Sequence, residues 1–176
     1  LKIVDDNGKR LPEDGKNIGN LYIRGNTIAG GYYNNEEASK AAIDDEGYFG
    51  TGDVASIDEQ GFLRLTDRAK DLIKSGGEWI SSIDLENRAM SHPDVENCAV
   101  IAIPHEKWDE RPLLVVVPVE GKKPSKEELI KHLEGHFAKW QMPDDVVYED
   151  KLPLTATGKV SKLTLRQKYE NYTLAS

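Results

Sequence analysis

The sequence predicts an α+β fold in two parts. Residues 1–66 form a β-rich leading segment, and residues 67–176 form a small domain whose short central sheet carries flanking helices. Three observations lead there. Gly19, Gly25, Gly30 and Gly31 punctuate the opening into strand-length pieces, as a meander or small barrel requires. Two nearly continuous apolar runs, residues 97–103 and 113–119, read as strands covered on both faces. Between the two parts lies Asp67-Arg68-Ala69-Lys70-Asp71-Leu72-Ile73-Lys74-Ser75-Gly76-Gly77, a charged segment ending in paired glycines.

Taken in order, residues 1–4 predict a short strand, Asp6-Asn7-Gly8 a turn, and residues 20–24 a second strand after a loop holding Pro12 and Gly15. Residues 35–43 suit a short helix, with Asn34 or Asn35 as cap and Glu36 and Glu37 in its first turn. A hairpin follows, with strands at 54–57 and 62–65 joined across Asp58-Glu59-Gln60-Gly61. Beyond the charged segment, residues 83–90 predict a helix ended by His92-Pro93. Residues 104–112 read as a charged loop between the two apolar strands. Ser125 and Glu128 form a capping box, and Leu129, Ile130, Leu133 and Phe137 give the next helix its apolar face. A short strand at 146–148 and a last helix from about Val160, with Leu165, Tyr169 and Tyr172 on one stripe, complete a unit of about three strands.

The 176 residues carry a net charge of -8, and acidic residues outnumber basic ones in both parts, 12 to 7 in residues 1–66 and 19 to 16 thereafter. Neither part resembles a nucleic-acid surface. The single cysteine, Cys98, lies in an apolar strand and excludes an intramolecular disulfide, which fits a reducing, cytoplasmic location. No apolar run approaches the ~20 residues of a membrane span, and Leu1-Lys2-Ile3-Val4-Asp5-Asp6 has the wrong pattern for a signal peptide. The chain lacks an initiator methionine and is expected to be a piece of something longer.

Several residues have types and surroundings suited to chemistry. Arg68 offers a rigid donor fork for phosphate, carboxylate or sugar hydroxyls, Lys70 and Lys74 are mobile charges, and Gly76-Gly77 permits close backbone approach or positive φ. The same stretch also reads as a charged connector with a glycine turn. In Pro153-Leu154-Thr155-Ala156-Thr157-Gly158-Lys159 a lysine follows a loop of small hydroxyl residues and can reach a phosphate or carboxylate oxygen. It is not a Walker loop, since Pro153 stands where glycine is needed and Val160 where Ser or Thr is needed; a helix start with a solvated lysine is the alternative. Asp53, after the turn Thr51-Gly52, can hold the two hydroxyls of a ribose or serve only the turn. His132 and His136 have i, i+4 spacing but no third ligand, so no metal site is expected. Trp79, Trp108 and Trp140 read as packing or rim residues.

The order of Gly31-Tyr32-Tyr33, Gly47-Tyr48-Phe49, Thr51-Gly52-Asp53, the charged segment with Gly76-Gly77, and Pro153 through Gly158-Lys159 resembles the C-terminal part of the adenylate-forming acyl-CoA synthetases over nearly the whole chain. Ser75-Gly76-Gly77-Glu78-Trp79-Ile80-Ser81-Ser82 is most similar to their fatty-acyl and methylthiopropionate branch. The resemblance implies a parent that uses ATP with Mg2+ to convert a carboxylic acid to an acyl-adenylate, then transfers the acyl group to coenzyme A. It implies that residues 1–66 end the large N-terminal domain as part of its β-barrel subdomain, and that 67–176 form the mobile C-terminal domain. Under it Asp53 binds the ribose hydroxyls, Arg68 contacts ribose or phosphate, and Lys159 bridges carboxylate and α-phosphate oxygens. Lys70 falls at the hinge; Gly76, Gly77 and Glu78 line the pantetheine path, and Lys74 approaches the active site in the thioester-forming orientation. Trp79 stands where medium-chain relatives carry an arginine that reaches coenzyme A phosphate. The family's phosphate loop, adenine-binding segment and acyl pocket lie in the missing N-terminal domain, so this chain alone is expected to be folded but inactive. Transfer to a carrier protein, or a non-catalytic α+β binding module, are the alternatives.

Overall fold

The computed structural model describes residues 1–174, which pack as two units, Leu1–Lys70 and a second from Asp71 onward. In the first, β1 (Lys2–Val4), β2 (Gly19–Ile23), β3 (Phe49–Ile57) and β4 (Leu63–Arg68) form an antiparallel sheet in sequence order. Its core is small: Ile3, Leu21, Ala55 and Ile57, with Leu11 and Ile23 partly covered. The hairpin turn is held by Asp58, whose Oδ1 accepts the backbone N–H groups of Gln60 and Phe62 at 3.0 and 2.8 Å. Helix α1 (Glu36–Ala42) buries none of its residues; Asn35 caps it by accepting the Ala38 N–H at 3.0 Å.

The hairpin strands are longer than expected. Pairing of β3 with β4 continues to Asp53 opposite Arg68, so Asp67 and Arg68 pair in the first sheet and the packing division falls between Lys70 and Asp71.

The second unit is a three-layer α+β arrangement built on five strands rather than about three. β5 (Ile73–Ser75), β6 (Glu78–Ile80), β7 (Val95–His105), β8 (Asp109–Pro118) and β9 (Asp145–Tyr148) form one sheet. β7 and β8 pair antiparallel along their whole lengths, while the other edge of β8 meets β5 at Asp109 and β9, in parallel, over residues 113–116. Alternation along these two strands sorts the core. Cys98, Val100, Leu114 and Val116 face Leu85 and Ala89 of α2 (Ser82–Met90) and Leu129 and Leu133 of α3 (Lys126–Leu133). Ala99, Ile101, Ile103, Leu113 and Val115 face Leu165 of α4 (Lys162–Lys168) and Leu152. Ser81, Ser125 and Ser161 cap the three helices, and the Ser125–Glu128 capping box is formed.

Two stretches differ from the sequence expectation. β5 and β6 are three-residue strands, and their outward Lys74 and Glu78 make the segment read as charged linker although Ile73, Ser75 and Ile80 are buried. The stretch 104–112 is mostly strand; only a short turn at 106–108 remains, with His105 Nδ1 accepting the Lys107 and Trp108 N–H groups and Asp109 at φ 63°. Helix α3 ends at Leu133, and Gly135 turns the chain at φ 78°, so His136 leaves the helix and the i, i+4 pairing with His132 is not realised. No helix among the described residues is long and apolar enough to cross a membrane.

Candidate active site

In the first unit, Gly52 at φ 73° ends one half of β3 and delivers Asp53 opposite Arg68 on β4. Arg68 Nε lies 3.0 Å from Asp53 Oδ1; the guanidinium is about half exposed and the carboxylate less so. Thr51 fixes the turn, its Oγ1 donating to the Leu21 carbonyl at 3.1 Å and accepting the Asp53 N–H at 3.0 Å. The pair thus presents a carboxylate oxygen and guanidinium N–H groups side by side on a sheet surface, an arrangement able to hold vicinal hydroxyls with an adjacent anion. Lys70 follows, exposed, in the turn that ends the unit.

In the second unit, Gly76 and Gly77 are the two turn residues of the β5–β6 hairpin, at φ 60° and 85°. Both signs being positive, the turn is of the primed type that suits the strand twist and requires glycine. Its position is reinforced by the Gly76 N–H donating to the Trp108 carbonyl at 2.9 Å, and a Cβ on Gly76 would lie 2.8 Å from the Trp108 ring. Glu78 and Lys74 are exposed; the Lys74 ammonium sits 5.6 Å from the centre of the Trp79 ring, and the Lys74 N–H donates to Glu110 at 2.8 Å. Lys74, Gly76, Gly77 and Glu78 are therefore brought together on one hairpin.

Beside this turn lies a cavity of about 450 Å3 lined by Ser75, Gly76, Glu78, Trp108, Arg111, Trp140 and Asp144. Arg111 forms its base, buried, with all five N–H groups used: two to Asp144 at 2.9 and 2.6 Å, one to Ser75 Oγ at 2.9 Å, and two to the Trp140 and Met142 carbonyls. Sequence reasoning missed Arg111, which sits at the end of what read as a charged loop. The tryptophans at the rim, Trp108 and Trp140, are each 42% exposed.

Lys159 also lies on the second unit, at the head of a hydrogen-bonded turn rather than a helix start. Leu154 pairs with Val160, the Thr155 N–H donates to the Lys159 carbonyl at 2.7 Å, and the Gly158 N–H donates to the Thr155 carbonyl at 2.9 Å. Thr155 Oγ1 accepts the Lys159 N–H at 3.2 Å, and the lysine side chain points to an exposed surface with no ion-pair partner among the described residues. Small hydroxyl residues therefore stiffen the turn. Cys98 is buried, and burial, then the charge of Glu86, pushes its thiol up to about 12, so it is no nucleophile at neutral pH. Burial, then the Arg88 charge, holds His132 below the usual imidazole value; its Nε2 lies 2.9 Å from Ser91 Oγ and its ring meets His92 edge-on. Among the described residues no cluster of three metal-ligating side chains exists.

The chain is similar to several known proteins. Residues 84–159 match the model of the AMP-binding enzyme C-terminal domain. The chain is 54% identical over 173 residues to a long-chain-fatty-acid–CoA ligase of Thermus thermophilus, covering 98% of this chain and 32% of that protein. It is 51% identical to a 3-methylmercaptopropionyl-CoA ligase of Ruegeria pomeroyi, covering 97% and 31%. ATP-bound MatB of Rhodopseudomonas palustris superposes with a TM-score of 0.86 at 33% identity, covering 97% of this chain and 34% of that one. Residues 84–159 thus carry an AMP-binding enzyme C-terminal domain, and nearly the whole chain is similar to acyl-CoA ligases. It spans about a third of the length of the relatives it matches.

Proposed function

We propose that this chain serves as the C-terminal third of an ATP-dependent acid–CoA ligase acting on a fatty-acyl type of carboxylic acid in the cytoplasm. A carboxylate oxygen attacks the α-phosphorus of ATP, pyrophosphate leaves, and an acyl-adenylate forms; the thiolate of coenzyme A then attacks the acyl carbon and AMP leaves. Negative charge builds on the phosphorus during the first attack, and the Lys159 ammonium, bridging carboxylate and α-phosphate oxygens, stabilises that state more than the ground state. Asp53 accepts hydrogen bonds from the ribose hydroxyls while Arg68 donates to ribose or phosphate. In this reading Mg2+ enters with the ATP triphosphate, as part of the substrate.

Lys70 is the hinge in this reading, and the unit beginning at Asp71 is the mobile domain. In a second orientation the Gly76–Gly77 turn, Glu78 and Lys74 line the path of the pantetheine arm; backbone without side chains leaves room for it. The observation that carries the proposal is the exposed ammonium of Lys159, held at the head of a stiff turn on a unit packed separately from the one bearing Asp53 and Arg68. The identities above 50% to two CoA ligases over nearly the whole chain support coenzyme A as acceptor. The test uses a full-length protein carrying this sequence: pyrophosphate release must depend on acid, and AMP release with acyl-CoA formation must depend on coenzyme A. Acyl transfer to a holo-carrier protein in preference to coenzyme A would overturn the acceptor assignment, and acid-independent pyrophosphate release would overturn the reaction.

A further inference from the structure

We infer that Arg166 and Asp71 form a positioning pair that confines the joint between the two units to Lys70 and presents Lys159 from a fixed base. Its catalytic consequence rests on the function proposed above; its structural part does not. Arg166 Nη1 lies 2.7 Å from Asp71 Oδ1, with side chains only 24% and 14% exposed. Asp71 is the first residue of the second unit and directly follows the exposed Lys70.

Helix α4 is itself anchored. Leu165, next to Arg166, is fully buried, and one turn earlier the Lys162 ammonium lies 2.7 Å from Glu86 Oε1 and donates to Ser82 Oγ at 2.5 Å. Glu86 Oε1 in turn accepts the Val100 N–H at 2.7 Å, tying α2 to β7. At its start α4 is continuous with the Lys159 turn, since the Ser161 N–H donates to the Pro153 carbonyl at 2.8 Å and Leu154 pairs with Val160. Lys159, α4 and Asp71 are thus linked as one rigid piece. Without the ion pair the chain would first be gripped at Leu72 and Ile73, which are 5% and 0% exposed. The joint would lengthen by one residue.

An added free residue spreads the approach of the two units over more conformations, so the population with reacting groups in place falls. The expected loss is about tenfold in both half-reactions, because both orientations use the same joint. Removal of the Lys159 charge, by contrast, affects only the first.

The structural test uses this 176-residue chain. In Arg166→Met, tryptic cleavage after Lys70 should accelerate about fivefold or more relative to cleavage elsewhere, with amide exchange of Asp71 and Leu72 rising alongside. Asp71→Asn should do the same, which covers the case that the first variant folds poorly. Arg166→Lys should stay near the parent, and the reversed pair Asp71→Arg with Arg166→Asp, which adds a tryptic site at position 71, should restore the amide-exchange protection of Leu72. Cleavage after Lys70 within about twofold of the parent in both single variants would overturn the inference. In the full-length protein, equal losses in acid-dependent pyrophosphate release and in acyl-CoA formation from preformed adenylate are expected. An inactive parent would sink the proposed function and leave the proteolysis result standing; an active parent with unchanged half-reactions in Arg166→Met would overturn the positioning role alone.

Discussion

Replacing Arg111 with methionine removes all five N–H bonds at the base of the tryptophan-rimmed cavity while roughly keeping the stem's volume. The Asp144 carboxylate then loses both charge-assisted bonds, and Ser75 Oγ and the Trp140 and Met142 carbonyls lose their donor. Deleting one partner of a buried ion pair costs about 3–5 kcal/mol, because the remaining charge stays desolvated and uncompensated. Asp144 keeps 29% of its side-chain exposure and water can reach it, so the lower end, about 3 kcal/mol, is expected. That is a large part of the ~5–15 kcal/mol total of an ordinary domain. Urea unfolding followed by tryptophan fluorescence measures it, since Trp108 and Trp140 both lie in the second unit beside the lost group. Arg111→Lys should recover less than half of the loss, because three donors on a flexible stem cannot replace a five-donor fork that meets four different residues. A loss below about 1 kcal/mol in Arg111→Met, or full recovery by lysine, would show that the guanidinium does not hold Ser75 and the Gly76 turn in place.

Further outcomes are expected elsewhere. Gly76→Ala should cost about 1–2 kcal/mol, since alanine disfavours φ 60° and its Cβ would press the Trp108 ring; an unchanged melting temperature would contradict this. The Lys168 ammonium, then the Tyr169 hydroxyl, hold the Glu149 carboxyl below the usual range. Its stabilising contribution is therefore complete above the unfolded value of about 4.3 and is lost as pH falls through the lower folded value. Acid titration of stability should show a shallower decline in Glu149→Gln than in the parent. Cys98, with its thiol near 12, should resist maleimide at pH 8 until the chain unfolds; rapid labelling of the folded chain would contradict its burial.

Much of the fold is written locally. The apolar runs at 97–103 and 113–119, the caps Asn35 and Ser125, and the asparagine and glycine turns are decided by neighbours in sequence, and they lie where the pattern places them. What escaped is decided by distant partners. Ile73, Ser75 and Ile80 read as linker because their burial depends on β8 and the helices, and Pro104 and Pro112 masked two strand ends that the β7–β8 pairing sustains. Among the candidate site residues, Asp53 and Arg68 are legible one by one, but their 3.0 Å pairing needs the β3–β4 register. Arg111, Arg166 and Asp71 carry no local signature, since their partners lie tens of residues away. Lys159 was legible from Gly158 and the hydroxyl residues, but the stiffness of its turn comes from the Leu154–Val160 pairing and the Thr155 bonds.

The proposed role of Lys159 is in adenylation and not in thioester formation. In the folded chain its ammonium has no ion-pair partner among the described residues, so Lys159→Ala should leave stability within about 0.5 kcal/mol of the parent. In the full-length protein, acid-dependent pyrophosphate release should fall ~100 to 1,000-fold, as for loss of one group that stabilises transition-state charge. Acyl-CoA formation from synthetic acyl-adenylate should remain nearly unchanged. Normal pyrophosphate release by this variant, or loss of the second step alone, would contradict the claim.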